Sequence, residues 1–353
     1  MPADPQRVLI VRTDRLGDVI LSLPMVIALR KAFPQVAVSM LLQHYTGAIV
    51  EGHPCVEEIL WYDNDGRVVP FLAMVRTIRA RRFDAVVIAR PTARLAWLMF
   101  CARIPVRIGS GYRYYSLLFN RRIFEHRKDA RRHELEYNLN LLAPLGVSPE
   151  APRGPASFGI TVAPEEDTAA RNILAAHGVN PDRPFAVIHP GTGGSAREWY
   201  VGNFGDLGAR LRSRKRIPVV VTGTTSEGEL VRTVVQKIGD AGVPLDGKLS
   251  LRELAVVLRL ASVWIGHSTG PLHLAVAMGT PVVGLYPQLL PMSSKRWGPY
   301  SNRSRVHVPD RPTDCVECVG GKLGHCPCMD SITVNEVYRS VEELLTERRS
   351  EAS

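Results

Sequence analysis

The feature that most constrains the fold is an alternation of short apolar runs with stretches of helical periodicity, made twice along the chain. In the first half the spacing predicts strands over 7–11, 36–42, 59–61, 85–88 and 106–108, with helices over 20–33, 69–80 and 94–101. Strand, helix, strand in this rhythm is a βαβ unit, and its repetition means a mostly parallel sheet covered by helices. From 148 to 164 the chain turns to Pro, Gly, Ala and Ser, the composition of a linker. Strands are then expected over 185–188, 218–222, 263–265 and 282–285. The residues behind them include Gly, Ser and Thr, at the edge where open parallel sheets bind ligands. A last helix over 334–347 carries Val334, Val337, Val341 and Leu344 on one stripe, for which the first domain is the expected partner. The expected division is a first domain over 1–163, a second over 164–333 and the terminal helix over 334–353.

With 353 residues, 45% of them hydrophobic, each domain can bury its own core. No window approaches the roughly 20 apolar residues of a spanning helix. The start, Met1-Pro2-Ala3-Asp4-Pro5, lacks the basic-then-apolar order of a signal peptide, so a cytoplasmic chain is expected. The formal net charge is +10, and between Cys101 and Arg132 nine Lys or Arg face two acids. Tyr112, Tyr114, Tyr115, Leu117, Leu118, Phe119 and Phe124 interleave with them. The stretch reads either as a solvated basic face or as a grip on an anionic membrane surface or phosphorylated glycolipid, where each cation contributes about 1 kcal/mol. Nucleic acid ranks lower, because no helix-turn-helix, RNP-type or OB-type pattern accompanies the charge.

The segment from Gly266 to Pro281 places small, hydroxylated and imidazole groups where a strand hands over to a helix. Pro271 suits the first helical turn, and the unpaired N–H groups there form an anion site to which Ser268, Thr269 and His273 add donors. A phosphate-bearing ligand is the expected guest. In the first βα loop, Arg12 to Ile20, Asp18 reads either as an N-cap or as a general base, with Arg12 and Arg15 holding an acidic acceptor against it. Asp63-Asn64-Asp65-Gly66 mimics an Asp-x-Asp metal motif but reads better as turn chemistry. No GxxxxGK[ST] occurs and Gly191-Thr192-Gly193-Gly194 does not fit the dinucleotide fingerprint, which weakens kinase and dehydrogenase readings. Cys315, Cys318, Cys326 and Cys328 cluster beside His325. They are spaced for a structural zinc or, in a reducing compartment, for reduced thiols folding a loop.

Several of these motifs form an ordered set: Thr13 with Gly17-Asp18-Val19, His189-Pro190-Gly191 with Arg197-Glu198-Trp199, Thr222-Gly223 with Glu227, Ser268 to His273, and Arg296-Trp297-Gly298-Pro299 before the cysteines. In this order the chain resembles glycosyltransferase family 9, the bacterial heptosyltransferases. The resemblance implies an α/β GT-B fold, two Rossmann-like doubly wound domains facing a central cleft. It further implies a metal-independent, inverting transfer of heptose from ADP-heptose to the lipopolysaccharide core, without a cofactor. The acceptor would be a lipid A–core glycolipid met at the cytoplasmic face of the inner membrane. Asp18 would deprotonate the acceptor, with Arg12, Thr13, Arg15 and, from the basic stretch, Arg113 as acceptor contacts. Thr192, Arg197, Glu227, Ser268, Thr269, Gly270 and His273 would bind the donor. Arg197 stands where the family often has Lys, and Ser268 where studied members have Asp, which leaves the donor sugar open. His267 reads as a packed or loop histidine rather than a catalytic group. The alternatives are a nucleotide-sugar epimerase or hydrolase on the same fold, and a zinc-stabilised nucleic-acid-binding protein.

Overall fold

Val8, Leu9, Ile10 and Val11 have no solvent exposure and make up most of β1 (Arg7–Arg12), the middle of a six-stranded parallel sheet. A run buried on both faces is what a sheet with helices on each side demands. In the computed structural model, which describes residues 4–148, 150–310 and 324–352, the chain divides into two compact units. One comprises Met1–Arg127 and Arg132–Thr161, the other Lys128–Arg131 and Val162–Ser353.

In the first unit β2 (Ala37–Leu42) and β3 (Glu58–Trp61) follow on one side of β1. A two-stranded ribbon, β4 (Asp63–Asn64) and β5 (Arg67–Val68), intervenes before the sheet resumes with β6 (Ala85–Ile88), β7 (Val106–Ser110) and β8 (Arg121–Ile123) on the other side. The order β3-β2-β1-β6-β7-β8 reverses between β1 and β6, so the switch point lies at the C-terminal end of β1. Leu9, Val11, Val86 and Ile88 pack against Met74 and Ile78 of the helix Phe71–Ala80 and Leu95 and Leu98 of the helix Ala93–Cys101. Each such side chain contributes about 1.5–3 kcal/mol of burial.

The second unit repeats the plan with β9 (Ala186–His189), β11 (Val219–Gly223), β12 (Gly242–Asp246), β13 (Val263–His267), β14 (Val282–Leu285) and β15 (Ser304–His307). Its parallel order is β12-β11-β9-β13-β14-β15, with the reversal between β9 and β13. A small ribbon, β10 (Arg197–Glu198) against β16 (Gly324–His325), lies outside this sheet.

Three expectations are corrected. The helix expected over 20–33 is two, Leu16–Ile20 and Leu23–Ala32. Pro24 has no N–H to give, and its ring would strike the carbonyl four residues back, so the helix restarts with Pro24 in its first turn. The apolar stripe of the final helix, Val334–Ala352, for which the first domain was the expected partner, lies in the core of the second unit, where Val337, Val341 and Leu344 join Leu207 and Leu211. The stretch expected as a linker is tied to the first unit. Phe158 is fully buried, its carbonyl lies 3.0 Å from His53 Nε2, and the Thr161 hydroxyl donates to the Gly52 carbonyl at 2.9 Å. β8, β12 and β15 went unread because they are partly exposed and lie at sheet edges, where β12 can carry Pro244.

Candidate functional site

At the switch point of the first unit, Arg12 ends β1 with only 2% exposure and gathers the side chains around it. Its Nε donates to Asp14 Oδ1 at 2.7 Å, one Nη donates to Asp18, and the other donates to Asn138 Oδ1 at 3.2 Å and lies 3.8 Å from Glu134. Arg12 therefore faces carboxylates of its own chain and holds Asp18. The N-cap position of the helix Leu16–Ile20 belongs to Arg15, so Asp18 sits in the first turn and caps nothing. Burial pushes the Asp18 carboxyl up to about 6, with Arg12 opposing and Asp14 and Glu134 reinforcing the rise. A carboxylate near neutrality with an accessible edge can take a proton from a hydroxyl. Arg15 is exposed and Thr13 half-buried beside it. Arg113 is exposed on the β7–β8 connection, two strands along from β1.

In the second unit the loops after β11, β9 and β13 are neighbours because those strands are. Thr269 takes the N-cap position of the helix Gly270–Ala277 with no side-chain capping bond, and Ser268 and Gly270 flank it, half-buried. His273 lies one turn in, buried. After β9, the Thr192 hydroxyl donates to Glu198 Oε1 at 2.7 Å and accepts from the Gly194 N–H at 3.2 Å. Thr192 thus shapes its loop. Glu227 accepts from the Thr224 N–H at 2.8 Å and lies so close to Gly191 that a Cβ there would fall 2.0 Å from Oε1.

Arg197, 4% exposed, is set on β10 by its neighbours. The Trp199 N–H donates to His267 Nε2 at 2.7 Å, and the Trp199 indole N–H donates to the Ile332 carbonyl at 2.9 Å. Burial, with the nearby His189, lowers the His267 pKa to about 3, so the ring is neutral and accepts. The packed reading of His267 is what the structure shows, but the reading missed that it pins the Arg197 ribbon to β13. The sequence signal was its position at the end of a buried strand, directly before Ser268.

The Asp63 motif is a turn: Asp65 and Gly66 have φ of 47° and 82°, and Asp63 accepts from the His44 and Gly66 N–H groups at 2.9 and 2.8 Å. Of the cysteine cluster, Cys315 and Cys318 lie outside the described residues, while Cys326 and Cys328 are buried in the core of the second unit. Among the described residues no three His, Cys, Asp or Glu side chains stand where they would hold a metal ion.

Two units with the same doubly wound order, a near-neutral carboxylate at one switch point and an uncapped helix start at the other, define the GT-B class of glycosyltransferase. The sequence profile of glycosyltransferase family 9 (heptosyltransferase) matches residues 71–320, and the chain belongs to that family. Lipopolysaccharide heptosyltransferase 3 of Escherichia coli is 25% identical over 334 residues, 92% of each chain. A family 9 glycosyl transferase from Veillonella parvula superposes with a TM-score of 0.87 at 23% identity, covering 98% of this chain and 99% of the other. The E. coli ADP-heptose lps heptosyltransferase II superposes at 0.80 with 19% identity, over 97% and 99%.

Proposed function

We propose that this glycosyltransferase moves a heptose from ADP-heptose to an inner-core lipopolysaccharide acceptor by a single, inverting, metal-independent displacement. The observation that carries the reading is Asp18, a half-buried carboxylate that accepts from the Arg12 guanidinium at the switch point of the first unit, where desolvation raises its pKa to about 6. In this mechanism Asp18 takes the proton of the acceptor hydroxyl as its oxygen attacks the anomeric carbon. The bond from that carbon to the diphosphate breaks, and the configuration inverts because attack and departure share one line. ADP leaves with the electron pair, and its growing charge is met by the N–H groups at the start of the helix Gly270–Ala277, by Thr269 and by Arg197. Fixed donors and one guanidinium supply the stabilisation that a divalent cation provides elsewhere. Glu227, beside the open face of Gly191, receives the nucleoside, and Thr13, Arg15 and Arg113 receive the acidic acceptor.

Exposed Trp97, Phe100, Tyr112, Tyr114, Leu117 and Phe124 lie among the cations of the first unit, which favours contact with the anionic surface that carries such an acceptor. Among the described residues no helix is long and apolar enough to cross a membrane. A thermal-shift panel of ADP, UDP, GDP, CMP and ADP-heptose tests the donor class, since a ligand bound only to the folded state raises its stability. ADP compounds are expected to shift the wild type most and to lose that shift in Arg197→Ala. A larger shift with UDP or GDP would reassign the donor, and no shift at all would overturn the reading.

A further inference from the structure

Glu134 has no part in the mechanism above, yet it is 1% exposed and stands against the arginine that holds the base. It opens the helix Glu134–Asn140, more than a hundred residues along the chain from Asp18. Arg127 Nη1 donates to Glu134 Oε1 at 2.5 Å and to Asn138 Oδ1 at 3.0 Å, and the same glutamate oxygen lies 3.8 Å from Arg12 Nη1. Asn138 Nδ2 in turn donates to the Leu21 carbonyl at 3.0 Å and to the Ser22 hydroxyl at 3.3 Å, and that hydroxyl donates to the Asp18 carbonyl at 2.8 Å. One short helix thereby supports both the break behind Asp18 and the guanidinium in front of it.

Burying a carboxylate costs several kcal/mol unless it is well paired. Arg12 already has Asp14 and Asp18, so satisfying that guanidinium does not require a third carboxylate. The third has a chemical consequence. An undivided guanidinium beside Asp18 would hold it ionised and make it a poor base, whereas a guanidinium shared among three carboxylates holds it less firmly. Asp18 is also the most open of the three, its side chain 16% exposed against 5% for Asp14 and 2% for Glu134.

We propose that Glu134 is a positioning residue that sets the basicity of Asp18 by sharing Arg12, so that the base can accept a proton near neutral pH. This rests on the reading of Asp18 as the base. Among the described residues, the charged and titratable groups facing Asp18 are Arg12 from β1, Asp14 from the following loop, Tyr45 from the short helix His44–Gly47, Arg90 after β6, and Glu134. Counting Arg127 behind Glu134, the three arginines in ionic contact balance the three carboxylates while Asp18 is ionised. Removing one member must therefore displace the titration of Asp18 in a direction set by the sign of the charge lost.

The test is the pH profile of kcat/KM for ADP release from ADP-heptose with a lipid A–core acceptor. It is measured for wild type, Asp18→Asn, Glu134→Gln, Glu134→Asp and Arg127→Gln, with folding checked by thermal unfolding. The acid limb should move to lower pH in Glu134→Gln, by on the order of one unit. It should return toward wild type in Glu134→Asp and move to higher pH in Arg127→Gln. A purely structural glutamate would scale the rate at every pH and leave the limb in place. Carbon-13 NMR of the Asp18 carboxyl in wild type and the Glu134 and Arg127 variants should show the same displacements, whether or not ADP-heptose is the substrate. An unmoved limb in Glu134→Gln with Asp18→Asn inactive overturns this inference and spares the base, whereas full activity in Asp18→Asn overturns the base itself. If Glu134→Gln does not fold, an unmoved or downward limb in Arg127→Gln is the refuting result.

Discussion

His267 offers the sharpest thermodynamic prediction. It is wholly buried, and its Nε2 accepts the Trp199 N–H at 2.7 Å, which requires a neutral ring with its proton on Nδ1. Burial, with His189 nearby, lowers its pKa from the usual 6.5 to about 3. Between those values the unfolded chain binds a proton at this histidine and the folded chain does not. Its contribution to stability is therefore complete above pH 6.5 and is lost as pH falls through that window. The slope is about 1.4 kcal/mol per pH unit, so acidification from pH 7.5 to 5 costs roughly 2 kcal/mol. Asp18 works in the opposite sense: its folded pKa is raised from 3.8 to about 6, so the folded chain gains stability as pH falls through that interval. Absolute curves mix the two, and only a difference isolates His267. His267→Gln removes the titration while its amide oxygen can still accept the Trp199 N–H. Urea unfolding of both proteins at pH 7.5, 6 and 5, followed by tryptophan fluorescence, should show wild type losing about 2 kcal/mol relative to the variant. A pH-independent difference would falsify the neutral, buried histidine and the pinning of the Arg197 ribbon that depends on it.

Asp18→Asn should lower kcat by about 10²-fold or more while the ADP-induced thermal shift persists, since the base and the diphosphate site belong to different units. Equal loss of the thermal shift would point to a folding defect. Wild-type kcat/KM should fall tenfold per unit as pH drops below about 6, because only ionised Asp18 accepts a proton; a flat profile to pH 5 would assign the base elsewhere. Gly191→Ala puts a Cβ 2.0 Å from Glu227 Oε1, so the carboxylate must leave Thr224 and nucleotide affinity should drop. Unchanged ADP binding by calorimetry would separate Glu227 from the nucleoside.

The alternation of apolar runs and helical spacing made the two parallel sheets legible, because a strand buried on both faces leaves a continuous apolar signature that needs no partner to be seen. β1, β6, β9 and β13 are of this kind. The strand-to-helix turn from Ser268 to His273 was legible for a local reason, since Pro271 favours the first turn of a helix. The Asp63 turn was equally local. Edge strands β12 and β15 were not legible, because their half-exposed side chains carry no comparable pattern.

The sequence by itself determined the class of fold, the order of the loops and which polar residues those loops carry, all of which depend on short-range periodicity and backbone freedom. Only the tertiary structure decided what those residues touch. It set Arg12 against Asp14, Asp18 and Glu134, joined Thr192 to Glu198, and made His267 the acceptor of the Trp199 N–H beside Arg197. It also sent the last helix to the second core, where Leu207 and Leu211 leave room for its apolar stripe. Each of these outcomes joins residues far apart along the chain, and a charge or a hydrogen bond depends on distances that no local pattern records.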